Sequence, residues 1–157
     1  RGLQPHAPED VDLRDFLDGI IADYRQSGTA VIDWEPGASC ICAVDTLALR
    51  RVLTNLIDNA VRYGGEKPVE VRCDTDSGVA VFRVRDRGPG IPAAEREAVF
   101  RPFHRLETSR SRSTGGSGLG LAIARQLCET HGWDIDLQPR EPGGTEARVR
   151  VPLGTTR

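Results

Sequence analysis

Apolar positions in the first part of the chain recur with a helical period. Leu13, Phe16, Leu17, Ile20, Ile21 and Tyr24 follow i, i+3, i+4, i+7, i+8, i+11, which places them on one face of an amphipathic helix that Asp10 or Asp12 can cap. Val31–Trp34 and Ser39–Val44 read as two short strands around the Pro36-Gly37 turn. A second helix is predicted from Thr46 to Tyr63, with Asp45 as N-cap and Gly64 at its end. Val69–Cys73 and Val79–Arg85 are predicted strands joined in a hairpin by the polar run from Asp74 to Gly78. Asp86–Pro92 is a Gly/Pro loop, and Pro92 suits the first position of a short helix through Phe100. Arg101–Ser117 is polar, basic and Gly-rich, a long loop of the functional kind. A third helix covers Gly118–His131 and stops at Gly132. Trp133–Gln138 and Thr145–Val151 close the chain as strands. In the last one Ala147, Val149 and Val151 alternate with Glu146, Arg148 and Arg150, one face buried and one wet.

Helices mixed with antiparallel strands, without regular βαβ crossovers, imply an α+β fold: a two-layer sandwich with helices on one face of a mixed sheet. Residues 1–9, polar and holding Pro5 and Pro8, read as a linker into one domain over residues 10–157. The 157 residues suit one domain with a real core, and the 38% hydrophobic and 28% charged fractions are those of a soluble globular protein. A net charge of −2 draws the chain to neither nucleic acid nor anionic lipid, so no nucleic-acid partner is expected. Cys40, Cys42, Cys73 and Cys128 form no C-x-x-C pair of the zinc type and read as small apolar residues of a reduced protein. No stretch approaches the ~18 apolar residues of a membrane span. The chain contains no Met and begins at Arg1, so it is expected to be a piece of a longer protein.

Three segments carry candidate chemistry. On the second helix Asn55, Asn59 and Arg62 fall within about 60° of one another, away from the apolar face of Leu49, Val52, Leu53, Leu56, Ile57 and Ala60. A solvated face would more often mix Glu and Lys. Amide oxygens can complete the shell of Mg²⁺, and Arg meets phosphate. Asp86, at a strand end before Gly88 and Gly90, can accept from a ring amino group, although a plain β-turn has the same composition. Gly115 to Leu121 opens a helix with glycines, so its N–H groups can face phosphate. It is neither a P-loop nor a dinucleotide fingerprint, because no Gly-Lys-Ser/Thr follows and no βαβ unit surrounds it.

Taken in order, these segments resemble the boxes of bacterial sensor histidine kinases. Asn55 to Tyr63 resembles their asparagine box, Asp86 to Pro92 their first glycine box, Val99 to Leu106 their phenylalanine box and Gly116 to Ile123 their second glycine box. Gly143-Gly144-Thr145 with the strand after it looks like the end of the same domain, and the resemblance spans about Val11 to Pro152. It implies a Bergerat-type ATP site that uses ATP and Mg²⁺. By that analogy Asn59 holds Mg²⁺, Asn55 lines the same catalytic site, Arg62 touches phosphate and Tyr63 packs on adenine. Asp86 bonds the adenine amino group, and Gly88, Gly90 and Ile91 make room for the base. Gly116, Ser117, Gly118, Leu119, Gly120 and Leu121 wrap the phosphates, with Thr145 alongside. Arg101–Ser117 is the lid, which Phe100 and Phe103 anchor hydrophobically and to which Arg105 belongs; His104 sits where an aromatic residue is common.

The resemblance further implies a protein-histidine kinase that passes the γ-phosphoryl group to a histidine on a dimerisation domain and thence to a response regulator. His6, His104 and His131 have no setting like that acceptor, so the piece alone is expected to be a monomer that cannot phosphorylate itself. Its parent is expected to be a membrane-anchored homodimer with this part in the cytoplasm. Three other readings remain. Topoisomerase, heat-shock and mismatch-repair ATPases share the fold but carry a water-activating Glu where Asn55 stands, and an amide is no general base. A degenerate module could bind ATP without turnover. A serine kinase of the anti-sigma type is the third, and the phenylalanine box favours histidine kinases over it.

Overall fold

Asp12 decides where the first helix starts. The computed structural model, which describes residues 6–65, 67–104 and 119–154, has strand β1 at Glu9–Asp12 running directly into helix α1 at Leu13–Ser27. The Asp12 carboxylate accepts from the Arg14 N–H, and Gly28 ends the helix in the left-handed conformation with its N–H on the Tyr24 carbonyl. Asp10 cannot be the cap because it pairs within β1. Strand pairing therefore begins at Glu9, the last residue of the predicted linker.

The two strands around Pro36-Gly37, β2 (Ile32–Trp34) and β3 (Ile41–Val44), do not pair with each other. β3 lies antiparallel to β1 in a two-stranded ribbon, while β2 runs parallel to β4 (Val69–Asp76). Asp12 explains the parting: it accepts from the Cys40 N–H, and the Leu13 N–H donates to the Cys40 carbonyl, which draws the start of β3 toward the head of α1. β4 and β5 (Val79–Arg85) form the expected hairpin. β4 runs three residues further than predicted because Ser77 and Gly78, with φ 54 and 81, supply a tight turn. β6 (Asp134–Pro139) and β7 (Thr145–Pro152) complete a sheet of order β2-β4-β5-β7-β6, antiparallel except at β2–β4.

Helices α2 (Thr46–Gly64) and α3 (Gly120–His131) join α1 on one face of this sheet. Leu17, Ile21, Leu53, Leu56 and Leu127 meet Val71, Phe82, Val84 and Val149 in one core. The fold is thus the expected α+β two-layer sandwich. Instead of one helix after Pro92 there are two separate 3-10 turns, Ala93–Glu95 and Ala98–Phe100. Among the described residues all four cysteines are free thiols, and burial pushes Cys73 and Cys128 up to about 12, which leaves them unreactive.

On the other face β-register puts like charges opposite one another: Arg72 against Arg83, and Arg83 against Arg148. Carboxylates separate them. Glu146, buried on the same face, takes Arg85 at 2.6 Å, Arg83 at 3.6 Å and Arg148, and Arg72 meets Asp33, Glu35 and Glu70. The predicted wet face of β7 is wet at Arg148 and Arg150 but not at Glu146.

One carboxylate ties the helices together. Asp45, 5% exposed, caps α2 through the Ala48 N–H at 3.1 Å, and its other oxygen takes the His6 N–H at 2.8 Å and the His131 ring at 2.9 Å. His131 closes α3 and stacks on Trp133. Burial opposes the charge on Asp45, but these three donors outweigh it and hold its carboxyl below the usual range. Its stabilisation is therefore complete above the ordinary carboxylate range and is lost as pH falls through the depressed value. Asp45→Ala is expected to lower stability by about 2 kcal/mol at neutral pH. Urea melts should show wild type and variant converging as the solution is acidified; a gap that stays constant would contradict this role.

Candidate functional site

Helix α2 turns its apolar side, from Ala48 to Ala60, into the core and leaves Asn55, Asn59, Arg62 and Tyr63 half-buried along its other side. Asn55 faces the start of α3: a methyl group built on Gly120 would lie 3.9 Å from Asn55 Oδ1. The Asn55 amide nitrogen is fully buried and has no hydrogen-bond partner among the described residues. The helix it faces is unusual in this chain. α1 and α2 are capped by Asp12 and Asp45, whereas among the described residues no side chain caps α3, whose cap position is Leu119. Leu121 is buried, so the head of α3 presents backbone N–H groups and a small Gly120 next to an unsatisfied amide donor. Donors without acceptors at a helix amino end make a seat for an anion.

The other end of α2 meets Asp86. Gly64 packs on it, with a would-be methyl 3.4 Å from the Asp86 Cβ. Asp86 is 6% exposed, and its Oδ1 accepts from the Gly88 N–H at 2.9 Å and the Thr145 N–H at 3.2 Å. Its backbone N–H in turn donates to the Thr145 carbonyl. Oδ2 has no partner among the described residues. Burial pushes this carboxyl up, against the two N–H groups and the charge of Arg140, which pull it down. A fixed, buried carboxylate with one oxygen spoken for and one free is an acceptor for an external N–H donor. Nine residues of α2 separate Asn55 from Gly64, roughly 13 Å along the axis. The anion seat and the acceptor therefore stand at opposite ends of one helix.

Glycines make the second end possible. On Gly88 a methyl would sit 2.2 Å from the Tyr63 carbonyl oxygen, and on Gly144 (φ 106) 2.0 Å from that of Asp86. Gly88 is therefore small because the loop's backbone lies against the end of α2, a reason beyond the room for a ligand that composition suggests. Gly90 takes φ 86 and leads into half-buried Ile91. Gly64 and Gly144 belong to this junction too. Sequence reasoning placed Gly64 as a helix stop and Gly144 in the closing segment without giving either a part in the site.

At the phenylalanine box the two aromatics differ. Phe100 is buried under the Arg125 guanidinium, 4.6 Å from its ring centre, and Arg125 also pairs with Glu97 on the same turn. Phe103 is 68% exposed with φ 67. The expectation that both phenylalanines anchor the loop is corrected: Phe100 is anchored and Phe103 is not, because the left-handed turn at 103 aims its ring outward. His104 is held by Glu95 at 2.8 Å. Arg105, Gly116, Ser117 and Gly118 lie outside the described residues, as does the predicted lid beyond His104.

Residues 44–155 match the family described as "Histidine kinase-, DNA gyrase B-, and HSP90-like ATPase". The chain is 47% identical over 139 residues to the Sensor protein CutS of Streptomyces coelicolor, an alignment covering 87% of this chain and 33% of that protein. It spans about a third of this curated relative. The ATP binding domain of PrrB from Mycobacterium tuberculosis superposes with a TM-score of 0.77 at 26% identity, over 96% of this chain and 100% of that one. Full-length ShkA in complex with AMPPNP also gives 0.77 at 26% identity, over 95% of this chain and 32% of that one.

The glycine junction yields a contrast between neighbours. Gly144→Ala must displace the Asp86 backbone and is expected to cost more than about 3 kcal/mol. Gly143→Ala, where a methyl meets nothing within 4 Å, should stay within about 0.5 kcal/mol of wild type. Equal urea midpoints for the two variants would show that the junction is not tight.

Proposed function

The chain belongs to the histidine kinase-, DNA gyrase B- and HSP90-like ATPase family as the catalytic ATP-binding domain of a sensor histidine kinase, and on that premise we propose that it binds Mg²⁺·ATP along α2 and delivers the γ-phosphoryl group to a histidine of a dimerisation domain. The observation that carries this reading is Asp86: a buried carboxylate with one oxygen held by two N–H groups and the other without a partner among the described residues. That oxygen accepts the adenine amino group, with Tyr63 against the ring and Gly88, Gly90 and Ile91 bounding the base. The phosphates lie toward Asn55 and the head of α3, where Leu119, Gly120 and Leu121 supply N–H groups; Gly116, Ser117 and Gly118, which precede them in sequence, take part in the same proposal. Arg62 meets phosphate charge from α2, and Thr145 holds Asp86 in place.

Mg²⁺ fits the same stripe. Asn59 lies one turn beyond Asn55, and its side-chain oxygen is the hard, neutral ligand such an ion accepts. When bound, the ion neutralises phosphate charge. The chain's part is positioning: α2 and the head of α3 hold the phosphates, while Asp86 fixes the base. Phosphoryl transfer is favoured over hydrolysis because Asn55, an amide with no basic lone pair, stands where a water-activating carboxylate would be needed. Phe100, Phe103 and Arg105 begin the lid over this site.

The acceptor histidine belongs to a dimerisation domain of the parent, and a response regulator takes the phosphoryl group onward. Among the described residues no helix is long and apolar enough to cross a membrane. The relatives are named as sensor proteins, and the proposal extends to a membrane-anchored homodimeric parent with this domain, itself a monomer, on the cytoplasmic side.

Asn59→Ala is expected to weaken Mg²⁺·ATP binding at least tenfold by titration calorimetry, with an unchanged circular dichroism spectrum and much less effect when Mg²⁺ is chelated. A variant that binds as wild type in Mg²⁺ removes Asn59 from the metal. With radiolabelled ATP, the chain alone should release little phosphate but label a histidine-bearing partner domain in an acid-labile, base-stable form. Rapid release by the chain alone would instead place it with the hydrolysing relatives.

A further inference from the structure

Glu70 and Arg140 form an ion pair that the nucleotide site does not use directly. Each side chain is 13% exposed, and Arg140 donates from Nε and Nη2 to the same Glu70 oxygen at 3.0 and 2.7 Å. Glu70 stands at the start of β4 and Arg140 just past the end of β6, with β5 and β7 between them in the sheet. The guanidinium therefore spans two strands. Its remaining contacts close the turn between β6 and β7: Nη1 donates to the Gly143 carbonyl at 3.1 Å, and the Arg140 N–H donates to the Gly144 carbonyl at 3.0 Å.

That turn is the surface on which Asp86 rests. Gly144 lies against the Asp86 carbonyl, and Thr145 exchanges hydrogen bonds with the Asp86 side chain and backbone. A continuous path thus runs from Glu70 through Arg140 and the turn to Asp86. Resting on the reading of Asp86 as the carboxylate that recognises the base, we propose that Arg140, seated on Glu70, is a positioning and specificity-determining residue that holds Asp86 in place and in its accepting, ionised form.

The chemistry that needs this is hydrogen-bond polarity. An ionised Asp86 only accepts, which suits an exocyclic amino group. A protonated one presents an O–H donor, which opposes that amino group and suits a carbonyl at the same ring position. Burial drives Asp86 toward the protonated form, and the opposing charge is that of Arg140. Glu70 does not cancel that charge, because Arg72 and Arg85 share it with Arg140, and together they keep Glu70 ionised against its own burial. Toward the ends that meet Asp86, the surrounding elements also carry Arg62 on α2, Arg87 in its own loop, Arg85 on β5, Glu146 on β7 and Glu141 in the turn; Arg50, Arg51 and Asp58 of α2, Arg83 of β5 and Arg148 and Arg150 of β7 lie further along the same elements. Arg85 and Glu146 are paired with each other at 2.6 Å. Arg140 is the cation whose charge pulls the Asp86 carboxyl down against burial.

The test uses the chain as it is, with Arg140→Lys, Arg140→Gln and the double variant Glu70→Gln/Arg140→Gln, which avoids stranding a buried charge. Carboxyl NMR of the nucleotide-free chain gives the Asp86 titration midpoint, and calorimetry gives Mg²⁺·ATP and Mg²⁺·GTP affinities from pH 5.5 to 8.5. Both neutral variants should raise the midpoint by about one pH unit. Their preference for ATP over GTP should fall roughly tenfold at the acid end and far less at pH 8.5, while Arg140→Lys keeps the wild-type profile. A midpoint unmoved in both neutral variants, or a preference that falls equally at every pH and in the lysine variant alike, overturns the proposal and leaves ATP binding by the wild type standing. A wild-type chain that binds neither nucleotide overturns the parent reading as well, and that failure appears before any variant is made.

Discussion

Three backbones meet around Asp86 with no room for side chains between them. The loop after β5 turns onto the last carbonyls of α2 at Gly88, and the turn before β7 lies on Asp86 itself at Gly144; in both places a single methyl group would overlap a carbonyl oxygen. Contacts of backbone on backbone cannot be re-formed by rotating a side chain. They fix how α2 sits over the sheet, and with it the direction in which Asn55, Asn59 and Arg62 point. Burying a carboxylate at the same spot is unfavourable by several kcal/mol unless hydrogen bonds compensate. Two N–H groups, from Gly88 and Thr145, satisfy one oxygen. The second has no partner among the described residues, so a buried acceptor stands ready for a donor.

The open face of the sheet bears on that junction from behind. Arginines stacked across β4, β5 and β7 would repel if they stood alone. Glu70 and Glu146 are sunk among them, so each carboxylate serves several cations. A network of this kind resists loss of a member more than isolated surface pairs do, because its charges are partly desolvated. Arg140 is its outlying member, and through it the solvent face of the sheet reaches the ligand side of the strand ends.

Periodicity carried most of the fold. Helical spacing located α1 and α2 to within a few residues, and strand alternation located β5 and β7, because those elements divide cleanly between core and solvent. Pairing was less legible. β2 and β3 look like partners across a Pro-Gly turn, but Asp12, a single polar residue far away in sequence, draws Cys40 elsewhere. The polar stripe of α2 and the carboxylate before two glycines stood out only in combination, through the resemblance of several segments in order to one family, since a plain helix face or β-turn accounts for each alone. Gly144 and Arg140 were not. A glycine in a hairpin and an arginine beside a strand have many uses, and only the sheet order, which puts β7 beside β5, brings them to Asp86.

The helix caps show how stability is distributed relative to the site. α1 and α2 each begin with an aspartate that satisfies their first N–H groups, a contribution of about 1 kcal/mol apiece. Among the described residues no side chain caps α3, yet its far end is secured by His131 on Asp45 and by Gly132 in a left-handed turn. The helix is thus fastened where it meets the head of α2 and left unfinished where it faces Asn55. An anion that completes those N–H groups binds the folded state and not the unfolded chain, so it must stabilise the whole domain by mass action. The missing cap, the orphaned Asn55 amide and the half-satisfied Asp86 are then the same physical statement made at three positions. Each is a hydrogen-bonding group without a partner among the described residues, as the proposed nucleotide site requires, and Asp45, the glycine junction and the charge network support the elements that carry them.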